Sequence, residues 1–238
     1  MTSAVLLTGA AVQRGGRRVV HAVDLAVTPG TWCGVIGANG SGKTSLLRAL
    51  GGRLPFAAGS CRIAGEEVGA DRAARAACFG FSPPADKLPD ALRGRDILEL
   101  VGGNIEHVLV RLGPLSQALG LVPLLDRWLG DCSAGMRQRI AIAAAFAGGH
   151  AHVILDEPFN WLDPVAIFDL RQVLRQIVDN GLTLITALHD LTTLAAACDT
   201  GLMLADGNVA MTLNEDMLRA DAQNLQAFER QTIDFLRS

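Results

Sequence analysis

The feature that most restricts the fold of this chain is a glycine-rich octapeptide at residues 37–44, between an apolar segment and a helical one. Residues 31–36 are a short apolar run with branched side chains, typical of a strand buried on both faces. Residues 43–50 have helical character and are followed by Gly51-Gly52, which ends the helix. A buried strand, a glycine loop and a helix in this order predict an α/β fold with a mostly parallel sheet.

The octapeptide matches the pattern G-x-x-x-x-G-K-[ST] at every fixed position. Glycines let its backbone N–H groups converge on phosphate oxygens, and the N-terminus of the following helix adds a positive dipole end. Lys43 supplies a charge to the β- and γ-phosphates, and the Thr44 hydroxyl is a ligand for Mg²⁺. The residues predicted to bind the nucleotide here are Gly37, Ala38, Asn39, Gly40, Ser41, Gly42, Lys43, Thr44 and Ser45.

A second motif places two adjacent carboxylates, Asp156 and Glu157, directly after the apolar run at 152–155. Open α/β sheets bind ligands at the carboxyl ends of their strands, which is where this pair lies. Asp156 is therefore predicted to hold Mg²⁺, directly or through water. Glu157 is predicted to orient and polarise an attacking water.

The rest of the pattern predicts a helical segment inserted into the α/β frame. Apolar residues recur at helical spacing from about 96 to 147, with breaks at Gly102-Gly103, Gly113-Pro114 and Gly130. Further strands are predicted at 19–27, 77–81, 152–155, 182–188, 201–204 and 209–213, and further helices at 165–178 and 191–198. The predicted organisation is an α/β core in residues 1–82 and 150–214, a helical subdomain in 83–149 and a C-terminal helical tail in 215–238.

Composition excludes several classes of protein. With 50% hydrophobic and 19% charged residues, the chain is not a disordered one. A net charge of −3 predicts no nucleic-acid partner. No apolar run approaches the length of a membrane span and no secretory signal is visible, so a link to a membrane is expected through a partner. Five scattered cysteines indicate free thiols in a reducing cytoplasm.

The order of the motifs resembles the ATP-binding subunit of an ABC transporter, over nearly the whole chain. The shared features are the phosphate loop, the helical insert, a short Ser-Gly motif, the Asp-Glu pair, a further loop and a lone histidine. The resemblance implies a P-loop NTPase (RecA-like) fold with a small N-terminal antiparallel β region. It also implies ATP and Mg²⁺ as cofactors.

The Ser-Gly motif of that family is usually Leu-Ser-Gly-Gly-Gln. Ser133 and Gly135 match it here, whereas Cys132, Ala134 and Met136 depart from it. Ser133 is suited to cap a helix whose N-terminus points at a phosphate. In the family this phosphate belongs to ATP on the opposite subunit. The resemblance thus implies a head-to-tail dimer that encloses two ATP molecules.

Two later motifs extend the resemblance. Residues 160–163 are similar to the family's D-loop, with Trp161 where glycine is common, and Asp163 is assigned to the nucleotide site on that basis. His189 follows the apolar run at 182–188 and matches the switch histidine. Its imidazole is expected to hydrogen-bond the γ-phosphate and to support hydrolysis.

Two parts of the family pattern are missing. Pro84 stands where a glutamine normally contacts Mg²⁺ and the transport partner, and Ser82, Asp86 or water are the alternatives for that role. The aromatic residue that stacks on adenine is also missing, because no Tyr, Phe or Trp precedes Trp32. Arg14 lies near the expected place. Its guanidinium plane either stacks on the base or belongs to a solvated turn.

The resemblance implies an ATP-hydrolysing motor subunit that drives membrane-spanning subunits on separate chains. A second ATP-binding subunit, identical or different, completes the dimer, and the complex is expected on the cytoplasmic face of the cell membrane. The absence of a fused membrane segment and of a long C-terminal regulatory domain favours the interpretation that the complex is an export system. The alternatives are a soluble ABC ATPase, for example in iron–sulfur assembly, and a nucleotide-binding regulatory half of a heterodimer.

Overall fold

The structure is a computed structural model that describes residues 3–223. Its strands are β1 (Val5–Arg14), β2 (Arg17–Val27), β3 (Trp32–Ile36), β4 (Ala58–Ile63), β5 (Glu66–Glu67), β6 (Phe79–Phe81), β7 (His152–Asp156), β8 (Thr183–Leu188), β9 (Thr200–Ala205) and β10 (Asn208–Leu213). Its α-helices are α1 (Lys43–Leu50), α2 (Arg72–Cys78), α3 (Gly94–Gly102), α4 (Ile105–Leu112), α5 (Pro114–Ala118), α6 (Ala134–Ala147), α7 (Pro164–Asp179), α8 (Leu191–Ala197) and α9 (Glu215–Gln223).

The strands form two sheets. The larger has the order β10-β9-β3-β8-β7-β6, in which neighbouring strands from β9 to β6 are parallel and β10 pairs antiparallel with β9. The smaller has the order β2-β1-β4-β5 and is antiparallel throughout. The predicted fold class, a mostly parallel sheet with a small N-terminal antiparallel region, is therefore confirmed.

The parallel sheet is covered by apolar residues on both faces. Every residue of β3 and β8 is buried, because successive side chains of a strand point to opposite faces and both faces are packed. On one face Ile154 and Ile185 pack in a cluster with α1, β1 and β2. On the other face Val153 and Leu184 pack in a cluster with α6 and α7. This packing fixes the ends of β3, β7 and β8, where the site lies.

The helices α3 to α6 lie between β6 and β7 along the chain, within the segment predicted to be helical. Gly102 and Gly113 stand at the end of α3 and just after α4, as the breaks in the pattern indicate. Buried residues of α6 share one apolar cluster with β7 and β8, so this helix packs directly on the sheet. The division into a core and a separate helical subdomain stays a prediction.

The strand predicted at 77–81 begins two residues later, because Ala77 and Cys78 complete the alanine-rich helix α2, which Asp71 caps by accepting the Ala74 N–H at 3.0 Å. Of the predicted C-terminal tail, α9 is the described part and residues 224–238 lie outside the described residues. None of the helices in the described part of the chain is long and apolar enough to cross a membrane.

Candidate functional site

The phosphate loop joins the carboxyl end of β3 to the first residue of α1, as the octapeptide predicts. Gly42 has φ +105°, and a Cβ atom there would lie 2.7 Å from the Val19 carbonyl oxygen, so only glycine fits without strain. The Ser41 N–H donates to the Ala38 carbonyl at 3.1 Å, and the Ser41 carbonyl accepts from the Gly207 N–H at 3.0 Å. The loop is thus pinned between β2 and the β9–β10 hairpin.

Lys43 lies inside the loop and is only 4% exposed. Its Nζ donates to the Gly37 carbonyl at 2.7 Å and to the Ala38 carbonyl at 3.2 Å. Burial lowers the pKa of the Lys43 ammonium, and the nearby carboxylates Glu157 and Asp156 act in the opposite direction. Ser41 Oγ is buried and has no hydrogen-bond partner among the described residues. A cation and an unpaired hydroxyl in one loop favour an anionic ligand.

Thr44 and Asp156 form a pair of oxygen donors. Thr44 Oγ1 donates to Asp156 Oδ1 at 3.0 Å, across the gap between α1 and the end of β7. Burial raises the pKa of the Asp156 carboxyl, and the hydrogen bond from Thr44 opposes this shift. A hydroxyl and a carboxylate are ligands that Mg²⁺ prefers, and a cation would offset the cost of the buried charge. These residues therefore fit a Mg²⁺ ion.

Glu157 and His189 follow the neighbouring strands β7 and β8, and their side chains meet. Glu157 Oε2 lies 2.8 Å from His189 Nε2 and accepts from Asn160 Nδ2 at 2.9 Å. Glu157 has φ +54°, a conformation that is uncommon outside glycine, and its N–H donates to the Ala187 carbonyl at 3.2 Å. The sequence prediction paired these two residues with the same reaction. The structure places them in direct contact.

A cavity of about 360 Å³ connects the phosphate loop with Glu157. The lining residues are Arg14, Val19, Asn39, Gly40, Gly42, Lys43, Thr44, Ser45 and Glu157. Arg14 therefore faces the same space as the phosphate-binding residues, near the position where the adenine-stacking group was expected.

A second cavity, of about 400 Å³, is lined by both carboxylates, Asp156 and Glu157. Pro84, at the position of the missing glutamine, lines it together with Ser82, Asp86, Asp156 and Glu157. Ser82 is buried, and its Oγ accepts the Asp156 N–H at 3.3 Å. Of the alternatives for the glutamine, Ser82 is thus in contact with Asp156, and Asp86 faces the cavity.

Three predicted site residues are not brought to the phosphate loop. Ser133 caps α6 by accepting the Met136 N–H at 3.3 Å, and no acidic residue lies in the first turn of that helix. Gly135 packs on the carbonyl of Trp161, which a Cβ atom at 135 would approach to 2.5 Å. Asp163 caps α7 and forms an ion pair with Arg139 at 3.3 Å. Neither Ser133, Gly135 nor Asp163 lines the phosphate-loop cavity.

Two further residues contact Glu157 that the sequence did not single out. Asn160 donates to its carboxylate, as described above. Gln138 is 7% exposed, and its Nε2 donates to the carbonyls of Glu157 at 3.2 Å and Pro158 at 3.1 Å. The available signal for Gln138 was its helical spacing, because it stands three and four residues before the apolar Ala141 and Ile142.

A phosphate loop after β3 and an Asp-Glu pair at the carboxyl end of β7, with β8 between these strands in a parallel sheet, define a P-loop NTPase. Residues 20–160 match the family model described as ABC transporter, which is more than half of the chain. The chain belongs to the ABC transporter family, and it is an ATPase of the ATP-binding cassette type.

Relatives agree with this assignment, and a solved structure agrees with the fold. A protein of Halobacterium salinarum, named as an ABC transporter ATP-binding protein, is 36% identical over 84% of this chain and 89% of its own length. The hemin import ATP-binding protein HmuV of Pseudomonas fluorescens is 34% identical, over 82% and 81% respectively. A solved ATP-binding subunit of an ABC transporter superposes with a TM-score of 0.84 at 24% identity, over 98% of this chain and 99% of that one.

Proposed function

We propose that this chain is the ATP-hydrolysing motor of a transporter whose membrane-spanning subunits lie on separate chains. The observation that carries the proposal is the contact of Glu157 with both His189 and Asn160, on the edge of the cavity that holds Lys43. This arrangement supplies a carboxylate that is oriented by two neighbours, which a general base requires. A protein that binds nucleotide without hydrolysing it does not require an oriented carboxylate at this position.

We propose a role in ATP binding or hydrolysis for each of the main residues of the site. Lys43 exchanges its two carbonyl partners for phosphate oxygens, and the N–H groups of the loop bind the same phosphates. Thr44 and Asp156 hold Mg²⁺, which neutralises charge on the phosphates when bound. Glu157 accepts a proton from the attacking water, and His189 donates a hydrogen bond to the γ-phosphate.

Arg14 is proposed as the surface on which the adenine ring rests. It lines the same cavity as Lys43, and the planar guanidinium stacks on aromatic rings. Val19, which also lines the cavity, adds an apolar contact beside it.

The proposed active form is a head-to-tail dimer. Ser133 lies exposed at the N-terminus of α6, but it does not line the cavity of its own subunit. A helix of 14 residues with no acid in its first turn keeps its positive dipole end available for an anion. We propose that this anion is the phosphate of ATP bound to the second subunit. Gly135 and Asp163, on the neighbouring surface, then face the same interface.

We expect that Ser133→Arg leaves ATP binding by the single subunit unchanged and blocks ATP-driven dimerisation. A long cationic side chain at the helix N-terminus opposes the dipole and fills the space for the phosphate. ATP affinity and size-exclusion chromatography with ATP measure the two effects. Thr8→Arg, at an exposed position of β1, is the control and should dimerise normally. Normal dimerisation of Ser133→Arg would contradict the head-to-tail arrangement.

The transport role is proposed from the family and from the names of relatives, one of which is an import protein. The proposed location is the cytoplasmic face of the membrane, through the membrane-spanning partners. Export, rather than import, stays a prediction from the sequence, as does the expectation of no nucleic-acid partner.

We expect this chain to co-purify with a multispanning membrane protein encoded beside it, and to hydrolyse ATP faster in that complex than alone. A soluble partner of iron–sulfur assembly in place of the membrane protein would contradict the transport role. The regulatory alternative is favoured by Pro84 and the altered Ser-Gly motif, and it requires a complex in which a different subunit supplies the turnover.

A further inference from the structure

The first half of α6 lies along the segment from Glu157 to Asp163. The contacts occur at positions 135, 138 and 139, whose spacing of three and four residues places them on one face of the helix. Gly135 packs on the Trp161 carbonyl, Gln138 donates to the Glu157 and Pro158 carbonyls, and Arg139 pairs with Asp163. One helix therefore touches both ends and the middle of the segment that carries the proposed base.

This segment has a backbone that its own residues do not favour. Glu157 has φ +54° and Trp161 has φ +66°, and both carry side chains that make this region unfavourable. Such conformations persist where surrounding contacts determine them. At Glu157, the backbone N–H donates to the Ala187 carbonyl. The Glu157 carbonyl accepts from the Asn160 N–H at 3.3 Å and from the Gln138 side chain.

Gln138 is well suited to hold this backbone. Its amide has two N–H donors and the two carbonyls lie 3.2 and 3.1 Å away. Within the described residues, Gln138 is the side chain that donates to the Glu157 carbonyl. Because the amide is buried, removal of Gln138 would take a donor from both carbonyls without replacing it by bulk water. The Glu157 carbonyl would keep only the second of its two donors, the Asn160 N–H at 3.3 Å.

We propose that Gln138 is a positioning residue for Glu157, and that α6 couples the two nucleotide sites of the dimer through it. The inference rests on the proposed function. Ser133 caps the helix on which Gln138 stands, about 7.5 Å further along the axis. Ser133 faces the nucleotide of the other subunit, whereas Gln138 holds the base of its own. Because both residues stand on one helix, a displacement of Ser133 when ATP binds to the other subunit would move Gln138. The position of the Glu157 carboxylate would then depend on whether the other site is occupied.

The test replaces Gln138 with methionine, which has a similar size and lacks both donors. Turnover should fall about ten- to a hundredfold, as expected for a reacting group displaced by about 1 Å. ATP affinity should stay unchanged, and the Hill coefficient for ATP should fall toward one. Gln172→Met, at an exposed position of α7, is the matched control and should behave as wild type. Unchanged turnover or an unchanged Hill coefficient in folded Gln138→Met would overturn the proposal.

A double variant separates action through Glu157 from a general loss of structure. If Gln138 acts through Glu157, then Gln138→Met in the Glu157→Gln background should cause no further loss of turnover. An additive loss would overturn the proposal. Hydrogen exchange of the amides in 157–163 should also rise in Gln138→Met, with exchange elsewhere unchanged. If Gln138→Met does not fold, Gln138→Asn, whose amide is too short to reach both carbonyls, takes its place with the same expectations.

Failure of the proposed function gives a different result. If Glu157→Gln alone keeps normal turnover, Glu157 is not the base and the proposed function fails together with the inference. If Glu157→Gln slows turnover but Gln138→Met does not, the inference alone is wrong.

Discussion

Glu157→Gln should lower ATP turnover by about 10²–10⁴-fold, the usual cost of removing a general base. The amide keeps the size of the carboxylate and one acceptor oxygen for Asn160 or His189, so the local backbone should be retained. ATP binding should survive, because Lys43, Thr44 and Asp156 are unchanged. A neutral amide also repels the γ-phosphate less than a carboxylate does. A dimer with trapped ATP should therefore accumulate, visible by size-exclusion chromatography.

Two variants serve as controls for this result. Glu106→Gln makes the same change at an exposed position of α4 and should leave turnover unchanged. Asp156→Asn should weaken Mg²⁺ binding and with it the trapped dimer, which distinguishes a metal ligand from a base. If wild type does not hydrolyse ATP with its membrane partner, and Glu157→Gln traps no more dimer than wild type, the catalytic role is wrong. The regulatory-subunit alternative would then replace it.

The parts of the fold with local signals were predictable from the sequence. The buried run before the loop and the glycines after residue 50 predict β3 and α1 with bounds within a residue of those observed. The sequence does not predict β1, because register shifts between Leu7 and Ala10, and again before Gln13, break its simple alternation. The sequence predicts the start of the strand at 77–81 two residues before the observed one, since Ala77 and Cys78 are as compatible with a helix as with a strand.

In the candidate site too, some positions were predictable from the sequence and others were not. Lys43, Asp156 and Glu157 stand at the ends of strands that sequence patterns locate, so their approach follows from the parallel sheet. The contacts of Asn160 and Gln138 with Glu157 were not predictable. They depend on the left-handed turn at Glu157 and on the packing of α6 along that turn, and both are set by tertiary structure.

Lys43→Ala should weaken ATP binding by roughly ten- to a hundredfold, since charge-assisted contacts of this kind contribute about 1.5–3 kcal/mol. Lys43 is the single lysine of the loop, and its ammonium is the cation that lies inside it. Titration calorimetry with Mg-ATP measures the affinity. Lys43→Met should lose a similar factor while retaining most of the buried volume, so that loss of charge is separated from formation of a cavity.

Lys87→Ala is the natural control, because Lys87 is the other lysine of the chain and lies exposed beside Asp86, at 3.1 Å from its carboxylate. It should bind ATP as wild type does. Its exposed ion pair is screened by water and contributes little. Lys43 is buried as a residue, so its charge acts in a medium of lower dielectric constant. Equal ATP affinity in Lys43→Ala, Lys43→Met and wild type would show that the loop does not bind the phosphates.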